Sequence, residues 1–473
     1  MQVNAVPMGP PEFSAHADAG AVIPRTVATL PHPKWRIPLA GDLLGMSPDG
    51  QIQRAVRLAH ELGPIYAMKI FNKRIIWVSG AELVVDLIDE NRFAKYVAPT
   101  TEALRSLTGD GLFTAYNDEP NLHLGYQVLL PAFSKAAMQR YHRTMLNVSL
   151  ELTDHWDRGG TVDVVPDMTK LTFETIGLTG FGYSFDSFRR PRPHPFVTAV
   201  VRALTHSQRS VLRPPVIGGL LNWRADRRHV ADIAYVKEVV DSVIQARLAQ
   251  GGDDDGNDML SLMLNSPLDE VNVRNQVITF LAGGHETTAN TLAFALYFLA
   301  NDPKVFAKAR AEVDQVWGTD EPSFEQVGKL RYVRRIVDES LRLWPTAPVF
   351  AREARFDTEL CGQLPLRSGE WVVVLTAALH RDPATWGPDA EEFDPDRFAP
   401  ERAKGRPKHA FMPFGTGMRA CIGRQFALHE AVLALGIIVR RYDLRPDPEY
   451  RLRIREALTV GPEGFHLTPV RRK

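Results

Sequence analysis

The stretch VITFLAGGHETTANTLAFALYFLA, residues 277–300, is the run that most constrains how this chain can fold. As a helix it would be long enough to cross a bilayer. His285, Glu286 and Asn290 stand near its middle, however, and each would cost about 2–3 kcal/mol in hydrocarbon. It reads instead as a buried central helix over Val273–Asn301, closed by Pro303. Burying it on all sides needs a large core, which 473 residues at 44% hydrophobic content can supply. The adjacent Gly283 and Gly284 cost such a helix about 1 kcal/mol each relative to alanine. Three readings account for them: something flat approaches the backbone, the helix opens locally with the Thr287 hydroxyl bonding back to the Gly283 carbonyl, or small residues seat a neighbouring helix.

Apolar residues recurring at three and four predict further helices over Pro131–Trp156, Asp232–Ala249, Pro303–Val316, Leu330–Leu343 and Gln425–Arg441. IYAMKI and RIIWVSG read as a hairpin around Asn72 and Lys73, and the valine-rich EWVVVLTAA from Glu370 as a third strand. The fold class is mainly α with a small β part. With no repeat and no Ser/Gly linker, residues 34–473 read as a single domain behind an N-terminal arm, 1–33. That arm has six prolines and no Lys or Arg before Arg25, unlike a secretion signal. Fifty-six basic residues balance fifty-six acidic ones, and Cys361 and Cys421 are the only cysteines. Disulfide frameworks and C-x-x-C metal sites are excluded, and a reducing, cytoplasmic location is expected.

Cys421 lies in PFGTGMRACIG, residues 413–423. The spacing Gly415, Gly417, Ala420 approaches a dinucleotide fingerprint, but no strand precedes it and Pro413 sits two residues before the first glycine. HETTA at 285–289 begins like a zinc-protease helix, yet Ala289 stands where the second histidine would be needed. As a thiolate, Cys421 would gain from the start of the helix that follows and from the N–H groups of a glycine-rich loop. A lone thiolate suits a haem iron, whose equatorial ligands come from the porphyrin; a buried free cysteine is the competing reading of the loop alone. In ESLRLWP, Glu339 and Arg342 share a helix face, FDPDRF supplies Arg397, and one carboxylate could hold both guanidiniums. Arg419 could face a haem propionate.

FGTGMRACIG, AGGHETT, the Glu339/Arg342 pair and FDPDRF, in this order and spacing, resemble the haem-thiolate monooxygenases of the cytochrome P-450 family. Within it, GDGLFTAY, MTKLTFETIGLTGFGYSF, RPHPF, LRLWPTAP and RQFALHEA resemble the haem domain of bacterial self-sufficient fatty-acid hydroxylases, from about Pro33 to near the C-terminus and most weakly between 205 and 270. The resemblance implies haem b between the long central helix and the cysteine loop, with dioxygen as co-substrate. Cys421 would be the axial ligand, Phe414 the ring shielding it, and Gly415 and Gly423 part of the loop around it. Arg419 would contact a propionate. Glu339, Arg342 and Arg397 would lock the loop. Glu286 and Thr287 would deliver protons beside Gly283 and Gly284, and Phe113 would limit how substrate approaches iron. The relatives' tryptophan and histidine on the propionate are Leu122 and Tyr126 here, which shifts that clamp to Lys95, His123 and Tyr126.

The implied reaction inserts one oxygen atom from O2 into a C–H bond of a long-chain fatty acid or similar amphiphile, its head group held by Lys73, Arg74 and Trp77. A haem peroxygenase using H2O2, or a non-catalytic haem sensor or ligand carrier, are the alternatives. No flavin region follows Lys473, so a separate ferredoxin- or flavodoxin-type donor with its reductase is expected, docking on a basic face of Lys404, Arg406, Lys408, Arg424, Arg440 and Arg441. Nine arginines against two aspartates between Phe185 and Val230, interleaved with PPVIGGLLNW, read as a lid for anionic lipids or a peripheral membrane contact, with no transmembrane segment and no nucleic-acid partner.

Overall fold

The computed structural model describes residues 26–34, 36–37, 41–42, 50–70, 73–190, 192–211, 218–249 and 258–472. Most of the expected N-terminal arm, the hairpin tip at 71–72 and the 212–217 part of the arginine-rich stretch lie outside the described residues. The longer helices are α1 (Gln51–Leu62), α2 (Ala81–Leu87), α3 (Pro120–Leu129), α4 (Lys135–Trp156), α5 (Val164–Phe181), α6 (Pro195–Val211), α7 (Gly218–Ala249), α8 (Glu270–Asn301), α9 (Pro303–Trp317), α10 (Arg331–Leu343) and α11 (Arg424–Arg441). This is the mainly α fold with a small β part that periodicity predicts.

Capping chemistry sets several boundaries. The Asp269 side chain accepts from Asn272 N to open α8, and Asp302 accepts from Lys304 N and Val305 N to open α9, with Pro303 at its first turn. The expected start at Pro131 is one turn early. Leu130–Phe133 is a 3-10 turn, and Ser134, in extended backbone, caps the true helix by accepting from Ala137 N. α7 likewise begins at Gly218 rather than Asp232; its first turns are arginine-rich, which hides the apolar period.

The chain divides into two compact units. The first comprises residues 1–96, 338–421 and 449–463. It holds strands β1 (Ile65–Ile70), β2 (Lys73–Val78), β3 (Phe93–Lys95), β4 (Val349–Ala354) and β5 (Trp371–Leu375) in one sheet of order β1-β2-β5-β4-β3. β2 and β5 pair in parallel, the other neighbours antiparallel, and Lys95 faces Arg352 across β3 and β4. Alternation splits the side chains: Ile65, Ala67, Ile76, Val78 and Val372 pack on Leu83 and Leu87 of α2, whereas Tyr66 and Met68 pack on Ala55, Val56 and Ala59 of α1.

The second unit comprises residues 97–337, 422–448 and 464–473. Its axis is α8, whose buried side chains run from Asn272 to Leu299 on nearly every face, because α5, α7 and α11 of the same unit pack against it. Thr172 on α5 donates its hydroxyl to the His285 carbonyl at 2.9 Å. No described helix is long and apolar enough to cross a membrane.

Candidate functional site

In the first unit the chain leaves Met412 and turns back on itself before Cys421. Gly415 and Gly417 take φ of +68° and +69°, conformations that side chains rarely adopt, and Gly417–Arg419 forms a 3-10 turn. The Cys421 N–H donates to the Phe414 carbonyl at 2.8 Å, which closes the loop and leaves the cysteine exposed. The segment leading into the loop is irregular rather than a strand, which removes the dinucleotide reading. Gly423 is the N-cap of α11 and offers no side chain to its first N–H groups.

Two supports hold this loop. His380 Nε2 accepts the Met412 N–H at 3.0 Å, and burial, reinforced by Arg342, holds the imidazole down at about 3, so it stays a neutral acceptor. Beside it, Arg342 donates to both carboxylate oxygens of Glu339 and to the carbonyls of His380, Ala390 and Glu392. Arg397 places Nε 3.4 Å from Glu339 and bonds Asp389 and the Trp386 carbonyl. The three residues read from ESLRLWP and FDPDRF thus lie together, almost without exposed surface.

A third group is electrostatic. Burial pushes the Lys95 amine well below its usual range, and Arg419 and Arg352 push it further. Arg352, 3% exposed, is itself lowered by burial, and its Nε is buried without a hydrogen-bond partner. Glu90 offsets this, and Arg355 adds to it. Lys95, Arg352 and Arg419 act on one another electrostatically, and such a gathering of basic groups suits carboxylate guests. Lys95 and Arg419 are legible in the sequence; Arg352 is not, since an arginine in a strand reads as solvent-facing until the Lys95–Arg352 register is known.

The second unit carries the residues expected on α8 and α3, together with Phe113. The Thr287 hydroxyl donates back to the Gly283 carbonyl at 2.9 Å, and α8 stays helical through the glycines. The two glycines differ. A Cβ on Gly284 would sit 2.5 Å from Ile176 Cδ1 of α5, whereas one on Gly283 would meet nothing within 4 Å. Gly284 therefore seats a helix, and Gly283 borders open space. Glu286 is half-buried, and Phe113 is 42% exposed. His285 is core: its Nδ1 lies 2.6 Å from the Leu281 carbonyl and its ring packs on Phe173. On α3, Leu122 is buried, Tyr126 half-buried and His123 exposed. Among the described residues no group of three or more His, Cys, Asp or Glu converges as a metal site.

The family model for cytochrome P450 matches residues 31–469. The chain belongs to the cytochrome P450 family. It is 42% identical over 460 residues to a bifunctional cytochrome P450/NADPH–P450 reductase of Bacillus cereus, covering 95% of this chain and 43% of that protein. A bifunctional P450/reductase of Bacillus subtilis is 43% identical over 454 residues, 94% of this chain and 42% of the relative. A self-sufficient P450 monooxygenase of Phanerodontia chrysosporium is 34% identical over 452 residues, 93% and 42% respectively. The chain thus spans under half the length of the curated relatives it matches. Cytochromes P450 are haem monooxygenases, and haem b is the cofactor. The donor set fits it: a single exposed thiol on a closed loop for iron, and the Lys95, Arg352 and Arg419 cations for propionates.

Elsewhere in this P450, Lys73 and Arg74 are exposed at the start of β2, and Trp77 stacks on Tyr66 at 6.2 Å. The expected basic face is smaller than the sequence implies. Arg406 stacks on Trp386 and donates to the Arg397 carbonyl, Arg440 donates to the Asp320 carbonyl, and Arg441 bonds Thr153 and Asp154. Lys404, Lys408 and Arg424 remain exposed.

Proposed function

We propose that residues 34–473 act as one haem domain that inserts an atom of dioxygen into a C–H bond of a long-chain fatty acid or similar amphiphile. The observation that carries this is the closed cysteine loop, Cys421 N to Phe414 O at 2.8 Å, in the same unit as the Lys95–Arg352–Arg419 cations. Haem held by a thiolate supplies oxygen activation driven by electron density from sulfur. Cys421 would hold the iron, Phe414 would shield the sulfur, and Lys95, Arg352 and Arg419 would hold the propionates. Gly415 and Gly423 keep side chains away from the thiolate. Thr287, its hydroxyl proton committed to Gly283, keeps oxygen lone pairs free to order a water, and Glu286 would resupply protons through it.

Gly283 leaves space for substrate, Phe113 would restrict its approach, and Lys73 or Arg74 would contact its carboxylate. The relatives' names pair the P450 with a reductase. For this chain a ferredoxin- or flavodoxin-type donor docking on Lys404 and Lys408 in the cytoplasm is the reading their exposure supports.

The test is the ferrous carbonyl spectrum of the haem-loaded protein, followed by titration with fatty acids of graded length. A red-shifted Soret band and saturable fatty-acid spectra are expected, with product formed from NAD(P)H and a donor. A colourless protein, or a carbonyl band without the red shift, would sink the reading. Product from peroxide alone would make it a peroxygenase, and binding without product a sensor.

A further inference from the structure

The turn between α2 and β3 does something that neither the motifs nor the proposed function explains. Glu90, in the middle of that turn, points its carboxylate at the cysteine loop, and its Oε1 accepts the Met418 N–H at 2.8 Å. That N–H belongs to the 3-10 turn Gly417–Arg419, whose own N-cap, Thr416, makes no side-chain cap bond. A carboxylate from 328 positions away in sequence therefore caps the turn that carries Arg419 and leads to Cys421. The fit is close: a Cβ on Gly417 would stand 2.1 Å from Glu90 Oε1, so only glycine lets the carboxylate reach the backbone. The turn is itself pinned, because Arg355 Nε donates to the Glu90 carbonyl at 2.9 Å and Asp89 accepts from Asn91 N at 3.0 Å.

The same carboxylate is the negative charge that offsets buried Arg352. Lys95, five residues after Glu90, pairs in register with Arg352. One turn and one short strand thus present a carboxylate to the cysteine loop and an amine to the cation cluster.

We propose that Glu90 is a positioning residue for the thiolate loop and a fixed negative charge that lowers the haem reduction potential. This rests on the haem-thiolate reading above. Two effects separate by substitution. Glu90→Gln keeps an oxygen that can accept the Met418 N–H but removes the charge; Glu90→Ala removes both. A carboxylate near the iron disfavours the extra electron of the reduced state, so losing it raises the midpoint potential.

The experiment is a redox titration and a ferrous carbonyl spectrum of haem-loaded wild type, Glu90→Gln and Glu90→Ala, with thermal melts by circular dichroism. Glu90→Gln is expected to keep the red-shifted carbonyl band and show a more positive potential, and to melt below wild type because buried Arg352 loses its counter-charge. Glu90→Ala is expected to show that shift and also a carbonyl band that moves partly to the unshifted form. Wild-type potential in Glu90→Gln overturns the charge role, even if Glu90→Ala fails to fold. A wild-type band in Glu90→Ala overturns the positioning role. If wild type itself lacks the red-shifted band, the haem-thiolate reading fails instead, and the Glu90 proposal with it.

Discussion

Arg342 donates to both carboxylate oxygens of Glu339, at 2.6 and 2.8 Å, and neither side chain has any exposed surface. Burial pushes the Glu339 carboxyl up, and Arg342 and Arg397 oppose it. A pair this dry stabilises only while every donor is satisfied, and here it is: three backbone carbonyls take the remaining Arg342 N–H groups, and Asp394 N–H donates to Glu339. The segments tied together run into the cysteine loop. Removing one partner by Arg342→Ala or Glu339→Ala should cost about 3–5 kcal/mol. Arg342→Lys keeps the charge but not the fork, and should also fail. Haem content after expression and denaturant midpoints check this; normal haem incorporation by Arg342→Lys would show that the network does not hold the loop.

Glu430 is a buried acid with no such partner. It lies on α11 in the core of the second unit, burial raises it to about 8 against the Thr175 hydroxyl, and its Oε1 has no hydrogen-bond partner. The folded state therefore keeps the proton while the unfolded chain releases it near the ordinary glutamate value of 4.5. Stability should be full below about 4.5 and should fall as pH rises from there through 8, by a few kcal/mol in all. Glu430→Gln should remove that slope and raise the melting temperature most at pH 8. Melting curves from pH 5 to 8 decide it: parallel curves for wild type and variant would mean that the carboxyl is ionised in the fold.

What the sequence made legible follows from how local each signal is. The α8 run, the Thr287 back-bond to Gly283 and the Glu339/Arg342 spacing are set within a turn or two of helix, so periodicity exposes them. Arg352, Glu90 and His380 act through register or through loops far apart in sequence, and no window of residues contains both ends. The basic face is smaller than the sequence implies for the same reason. Arg406 and Arg440 look like solvated charges until Trp386 and the Asp320 carbonyl are found against them. Gly283 and Gly284 look alike in sequence, and only the position of Ile176 tells them apart.

A buried histidine pair predicts an acid limit. His142 Nδ1 lies 3.0 Å from His429 Nε2, and His142 Nε2 lies 2.9 Å from the Pro322 carbonyl. A carbonyl only accepts, so His142 Nε2 carries its proton and Nδ1 accepts from His429. Burial, then His142, lowers His429 to about 4. Stability present above the unfolded value of 6.5 should be lost as pH falls from 6.5 through 4, by about 2–3 kcal/mol from this group. His429→Gln retains a donor and should flatten part of that limb; buried His380 and the lowered His60, His155 and His194 contribute to what remains. Denaturant unfolding at pH 7, 6 and 5 measures the slopes, and equal slopes would refute the assignment.

Thr287 offers the most direct test of proton delivery. Its back-bond to Gly283 fixes the hydroxyl on α8. Thr287→Ser should retain product yield per NAD(P)H consumed. Thr287→Val, with the same shape and no hydroxyl, should lower that yield about a hundredfold and release peroxide, the low end of what a group that organises proton transfer contributes. Fatty-acid binding spectra should be unchanged in both, which separates chemistry from binding. Undiminished yield in Thr287→Val would remove the hydroxyl from the mechanism.

The glycine pair on α8 should respond oppositely to one methyl group. Gly283→Ala adds a Cβ that meets nothing within 4 Å and replaces the poorest interior helix former but proline, so it should raise stability by about 1 kcal/mol. Because that methyl enters the open space beside Thr287, it should also weaken binding of the bulkiest substrates. Gly284→Ala gains the same propensity but drives a Cβ to 2.5 Å from Ile176 Cδ1, and a packed core yields to such a clash at about 1–3 kcal/mol. Shrinking the neighbour should rescue it: Gly284→Ala with Ile176→Val is expected to be more stable than Gly284→Ala alone. Denaturant midpoints for the three variants and wild type test the ordering, and a Gly284→Ala protein as stable as Gly283→Ala would show that α5 does not press on α8 at this turn.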